Sequence, residues 1–272
     1  MGQAVAVDRY GPASYGDGFA DVYDEWYPTL GDDDAAVARL AELAGGPGGG
    51  AAVLELGVGT GRLAIPLAGL GFDVWGIDAS PAMLDRLRRK PGGERVHAVA
   101  VDMADVGLDG NASGPAGLGD RRFRLVFAAF NTLFNLTSET DQARCLAGAA
   151  RRLAPGGRLV IEAFVPSVSA MSSTGVVEVG RIEADRVVLT VSRVRPDDQV
   201  VDGHHVELSS AGTRLRPWRI RYLTPGQLDL MADAAGLSLI ERRAGWRDQP
   251  FNDTSATHVS VYGVRRAPSG RI

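Results

Sequence analysis

The run Val53-Leu54-Glu55-Leu56-Gly57-Val58-Gly59-Thr60-Gly61 constrains this chain more than any other stretch. An apolar segment closing on Glu55-Leu56 reads as a buried strand, and a helical pattern over residues 62–68 follows at once. Glycines between a strand and a helix let the backbone come close to a bound nucleotide, because no Cβ stands in the way. Their spacing narrows the choice. A dinucleotide fingerprint is Gly-x-Gly-x-x-Gly, whereas here the third glycine comes one residue early and Arg62 fills the slot reserved for it.

Strand and helix patterns go on alternating downstream. About 20 residues after the loop, Val74-Trp75-Gly76-Ile77-Asp78 closes a second strand on an acid, which can accept both hydroxyls of a ribose. Ser80 and Pro81 then supply the N-cap and first position of a helix that carries Met83. A third strand over residues 96–101 ends at Asp102-Met103, placing a second acid over the same sheet edge. The fourth, residues 124–130, runs into Asn131, and Leu153-Ala154-Pro155-Gly156-Gly157 turns into a fifth. In a doubly wound sheet these strand ends converge on one crevice, so Glu55, Asp78 and Asp102 are expected around a single nucleoside.

Residues 53–165 resemble the class I methyltransferases that depend on S-adenosylmethionine (SAM). The resemblance runs from the acid and compressed glycine loop to the Leu-x-Pro-Gly-Gly turn before the fifth strand. It implies an α/β, Rossmann-like, doubly wound seven-stranded sheet with an antiparallel last strand. It also implies SAM as cofactor and S-adenosylhomocysteine as product. Carried over by position, it sets Gly57, Gly59 and Gly61 along the methionine moiety and ribose, directly after Glu55. Asp78, with Ala79 and Met83 beside it, would hold the ribose. Asp102 and Met103 would contact adenine, and Ala129 and Phe130 would form a floor near the methionine carbons. Arg62 stands where several members use a cation for the cofactor carboxylate, and a salt bridge on the helix surface is the alternative. SAM carries no pyrophosphate, so the loop need not form a phosphate cradle, and its sulfonium favours aromatic faces and acids.

Ahead of the first strand come Tyr10, Tyr15, Phe19, Tyr23, Trp26 and Tyr27. Tyr23 and Tyr27 lie at i and i+4, on one face of a helix expected over residues 20–27. Residues 1–30 read either as a helix packed by its aromatic stripe or as a lid over the cofactor. Small-molecule members of the resembling family open with a similar Tyr-Asp-x-x-Tyr segment, which implies a tyrosine near the transferred methyl. Residues 31–166 read as the cofactor-binding core. Residues 167–222 read as an inserted antiparallel β-meander over the acceptor site. Residues 223–267 complete the core sheet, their helix announced by the capping box of Thr224 and Gln227.

Methyl transfer is an in-line displacement in which orientation supplies much of the rate. An amine must be neutral to attack, and a hydroxyl needs a base within hydrogen-bond reach. The candidates for contact with the reacting groups are Tyr23, Tyr27, Asn131 and His204. One of His204 and His205 must face a roofed pocket, because strand side chains alternate. Glu162 is expected to attract an acceptor ammonium, and residues 246–251 to add to the pocket wall. His258 reads as a strand-edge residue. No cluster has metal-ligand spacing, so no metal is expected.

The chain has 272 residues and a net charge of −4 without a long basic run, which argues against a nucleic-acid surface. It lacks an apolar stretch of about 18 residues, so no membrane span is expected. Cys145 is its lone cysteine and the opening residues lack a signal pattern, so a cytoplasmic location is the expectation. These readings converge on a SAM-dependent methyltransferase of a small-molecule acceptor. An amine of an amino sugar or natural-product intermediate comes ahead of a hydroxyl. Assembly into a homo-oligomer stays open. The rival classes are an NAD-dependent oxidoreductase and a SAM-binding protein without chemistry.

Overall fold

A strand with four consecutive buried residues needs cover on both faces, and β1 (Ala52–Leu56) has it. The computed structural model describes residues 10–28, 31–108, 117–167 and 175–265. β1 lies between β2 (Asp73–Asp78) and β4 (Phe123–Ala128), parallel to both. β3 (His97–Ala100) extends the sheet beyond β2, and β5 (Leu153–Phe164) extends it beyond β4. After β5 come β11 (Thr257–Val264), antiparallel to both neighbours, and then β10 (Leu237–Arg243) at the edge. The seven-stranded order is β10-β11-β5-β4-β1-β2-β3.

Side-chain alternation builds two cores from one sheet. Leu54, Leu56, Val126 and Ile161 pack with Leu146 of α6 (Glu139–Arg152) and Leu228 of α7 (Pro225–Ala234). Val53, Val74, Phe127 and Val160 pack on the other face. They meet Leu40 of α3 (Asp33–Leu43), Leu67 of α4 (Ala64–Gly69) and Leu84 of α5 (Pro81–Arg89). The caps follow the sequence: Ser80 Oγ accepts the Met83 amide at 3.2 Å, and Thr224 and Gln227 form their capping box. Among the described residues no helix is long and apolar enough to cross a membrane.

A second sheet stands apart in the chain between β5 and α7. It is an antiparallel meander of β6 (Val176–Ile182), β7 (Arg186–Arg195), β8 (Val200–Ser209) and β9 (Gly212–Arg221). The opening segment wedges between this meander and α5. Instead of one helix over residues 20–27 it forms two short ones, α1 (Ser14–Phe19) and α2 (Tyr23–Trp26). Phe19, Val22 and Trp26 share a small core with Met83 and Val188.

Polar groups latch the segment on both sides. On the core side, Ser80 Oγ donates to Asp17 at 2.6 Å, Thr60 Oγ1 to Asp24 at 2.6 Å, and Arg86 to the Asp21 carbonyl at 2.8 Å. On the meander side, Arg216, only 1% exposed, donates to the Gly18 carbonyl and to Asp21, both at 2.6 Å.

Two expectations change. The fourth strand stops at Ala128 and not at Phe130, because Phe130 (φ 46°) and Asn131 (φ 63°) turn left-handed and break the ladder. His258 is not at an edge: β11 is flanked on both sides, and His258 is fully buried with Nδ1 2.8 Å from Ser260 Oγ.

Candidate active site

The glycine bend after β1 divides its labour. Gly57 (φ +68°) lies so close to Thr132 that a Cβ would overlap the threonine methyl. Gly59 (φ +53°) has nothing within 4 Å of where a Cβ would stand, so that face is open. Gly61 (φ +84°) faces inward, where a Cβ would meet Ile65 at 2.9 Å and Leu87 at 3.0 Å. The first two glycines border a cavity of about 410 Å³, and Gly61 does not. It lets the bend pack closely against α4 and α5 instead.

Asp78, at the end of β2, faces this bend. Its Oδ2 accepts the Gly59 amide at 2.9 Å and its Oδ1 the Ser80 amide at 2.8 Å. Each oxygen retains a lone pair for a further donor. Asp102 Oδ1 accepts the Ala104 amide at 2.9 Å. Burial holds both carboxyls above the usual carboxylate range. Both line the cavity, together with the sequence-predicted Ala79, Met83 and Met103. Phe130, Asn131 and Tyr23 line it as well.

Other predicted residues lie elsewhere. Glu55 sits beneath the bend, 6% exposed, and burial pushes its carboxyl up to about 8. Arg62 forms an ion pair with Asp33 of α3, and its guanidinium lies 5.9 Å from the Phe130 ring centroid. Ala129 is 5% exposed and belongs to the core, since the left-handed turn sends only Phe130 and Asn131 to the cavity. Tyr27 stands behind Tyr23, ring centroids 5.2 Å apart. Tyr27 Oη lies 3.5 Å from His205 Nε2, and alternation turns His204 to the opposite face of β8. Neither histidine borders the cavity. Glu162 Oε2 is engaged by the Phe130 amide at 2.7 Å, and Trp246 lies in the core rather than in the pocket wall.

Sequence reasoning missed a whole wall. Thr132 and Asn135, on the 3-10 turn Thr132–Asn135, border the cavity with Leu136, Thr137 and Asp141. The available signal was their position directly after the fourth strand, where the chain leaves the crevice. Phe164, Trp218 and Ile220 complete the far side, and Tyr10 and Tyr15 close the front. Three carboxylates, Asp78, Asp102 and Asp141, border the cavity, and among the described lining residues there is no Lys, Arg or His.

A doubly wound sheet with acids and a glycine bend around one crevice is the architecture of an enzyme that binds a nucleoside cofactor. Residues 53–157 match the family model of a methyltransferase domain. The CcbJ methyltransferase from Streptomyces caelestis is 40% identical, with a TM-score of 0.84 over 94% of this chain and 100% of that one. Cypemycin N-terminal methyltransferase from Streptomyces sp is 26% identical over 255 residues, 92% of this chain and 97% of that protein. SAM-bound CalS10, an amino pentose methyltransferase from Micromonospora echinaspora, is 25% identical with a TM-score of 0.62, covering 89% and 95%. The chain belongs to the class I SAM-dependent methyltransferases, in their small-molecule branch. The cavity fits that cofactor: Gly59 leaves space that a side chain would fill, and no lining cation opposes a sulfonium.

Proposed function

We propose that this enzyme methylates an amine nitrogen of a small molecule such as an amino sugar or natural-product intermediate. One observation carries the reading: the cavity is bordered by three carboxylates and by aromatic rings, with no cationic side chain among the described lining residues. An ammonium taken from water into such a space needs compensation, and Asp141, the carboxylate not given to the cofactor, supplies it together with ring faces. The names of two relatives, an N-terminal methyltransferase and an amino pentose methyltransferase, support the same acceptor class.

In this reading SAM lies along Gly57 and Gly59, with its ribose hydroxyls on Asp78 beside Ala79 and Met83. Adenine meets Asp102 and Met103, and Phe130 forms the floor near the methionine carbons. Tyr23 and the Asn131 amide face the acceptor. Residues 1–30 act as the lid, 167–222 as the roof of the acceptor end, and 223–267 complete the core of residues 31–166. The bound ammonium gives up a proton, and the neutral nitrogen attacks the methyl in line with the leaving sulfur.

The test uses methyl-labelled SAM and two matched pools: amino sugars with amino acid amides, and the same compounds with hydroxyls in place of the amines. Label entering only the amine pool supports the proposal. Label entering the hydroxyl pool overturns it.

A further inference from the structure

We infer that Tyr15, Tyr27 and His205 form a hydrogen-bonded chain that carries the acceptor's proton out of the cavity, with His205 as its terminal acceptor. Tyr15 borders the cavity, and its hydroxyl lies beside that of Tyr27, towards which it can donate. Tyr27 Oη is 3.5 Å from His205 Nε2, a length that shortens in many sites when they close on their ligands. On the other side of the ring, His205 Nδ1 is 3.1 Å from Thr190 Oγ1. With Nδ1–H donating to Thr190, the Nε2 lone pair faces Tyr27. Phe19 and Trp26 hold the imidazole edge-on at 5.3 and 5.7 Å, which fixes its orientation.

Methyl transfer makes such a path useful. The carbon–sulfur bond breaks and its electron pair goes to sulfur. The nitrogen lone pair forms the new bond to carbon, and the nitrogen loses one proton. That proton passes to Tyr15 Oη as the proton of Tyr15 moves to Tyr27 and the proton of Tyr27 moves to His205 Nε2. Both tyrosines end neutral, and the imidazolium then releases its proton to water. The same balance holds for a hydroxyl acceptor. The inference therefore rests on methyl transfer itself and not on the amine reading.

The surroundings of His205 permit this cycle. Opposite it on β9 stands Arg216, and on its own strand Glu207, which accepts from Arg216 at 3.2 Å. Asp21, following α1, takes two more bonds from Arg216, and Arg186 of β7 lies 3.7 Å from Glu207. Glu25 of α2 pairs with Arg186. With Arg214 also on Asp21, and Glu183 shared by Arg186 and Arg181, four guanidinium groups are set against four carboxylates, so a transient imidazolium is not stranded beside uncompensated positive charge. Burial first, and Arg216 second, hold His205 below its ordinary value, which leaves the ring neutral and receptive at pH 7.

The experiment begins with the full-length protein alone, by nitrogen-15 NMR of its imidazoles. The expected state at pH 7 is the neutral Nδ1–H tautomer, with an Nε2 shift that moves in Tyr27→Phe. An Nε2–H tautomer overturns the inference. Turnover is then followed with whichever labelled pool compound proves best. His205→Gln and Tyr27→Phe are each expected to lower kcat about 10- to 100-fold, within the range of acid–base assistance. S-adenosylhomocysteine affinity and melting temperature should stay near those of the unsubstituted protein. Beyond the acid-side loss set by protonation of the acceptor amine, the unsubstituted enzyme should lose further rate as His205 protonates, and His205→Gln should lack that added loss. An unchanged kcat, a pH–rate profile of the same shape in His205→Gln as in the unsubstituted enzyme, or a rate that falls only together with affinity and stability overturns it. Label in the hydroxyl pool would defeat the amine proposal and leave these comparisons intact.

Discussion

Asp78 Oδ2 accepts the Gly59 amide at 2.9 Å, so the end of β2 is tied directly to the bend that follows β1. The two residues are neighbours only because β1 and β2 pair in parallel, with Leu56 beside Ile77. One carboxylate thereby shapes the bend while its free lone pairs remain directed at the cavity.

Replacing Asp78 with alanine should weaken S-adenosylhomocysteine binding by about 1.5–3 kcal/mol, the scale of hydrogen bonds to a charged group. Titration calorimetry reads this directly. Affinity equal to that of the unsubstituted protein would remove Asp78 from the cofactor site.

Gly59→Val puts a branched side chain into the open space at the bend, at a φ of +53° that β-branched residues avoid. Cofactor binding should be lost while circular dichroism retains the α/β spectrum, with melting somewhat lowered. Normal S-adenosylhomocysteine affinity would refute the assignment of the loop.

Glu55 gives the ligand-free protein a pH dependence. Its carboxyl is raised by burial to about 8 in the folded chain, while the unfolded chain keeps an ordinary glutamate. The folded state therefore holds an extra proton between the two values. Its stabilising effect is complete below the unfolded pKa and is lost as pH rises through the folded one. Glu55→Gln should flatten the decline in melting temperature between pH 5 and pH 8, and an unaltered slope would contradict the burial argument.

Arg216 is buried between Asp21 and Glu207. Arg216→Ala leaves those carboxylates without their partner and should cost about 3–5 kcal/mol in urea unfolding. A loss below about 1 kcal/mol would mark the pair as no better than a surface ion pair.

Much of this arrangement was legible in the sequence, because strand lengths, glycine bends and caps are local signals. The acids at 78 and 102 could be assigned to one cavity from topology alone. What stayed hidden depended on contacts distant in sequence or on unmarked backbone turns. Phe130 and Asn131 are left-handed without a glycine to announce it, so Ala129 was set at a floor it does not reach. Adjacent histidines reveal that one faces inward but not which, and the pairing of β8 with β7 and β9 decided for His205. Arg62 had two equally sensible partners until α3 brought Asp33 against it. His258 looked peripheral because β10 precedes β11 in the chain yet lies outside it in the sheet.

Asp21 and Arg216 are 195 positions apart. A nascent chain emerges from the ribosome with its first residues leading, so the opening segment waits while the five parallel strands β1–β5 are synthesised. Its anchoring partners on β9 arrive only after those strands and the first three strands of the meander. The front of the pocket is thus among the last parts to be assembled, and a protein truncated before β9 would present its nucleoside crevice unscreened to water.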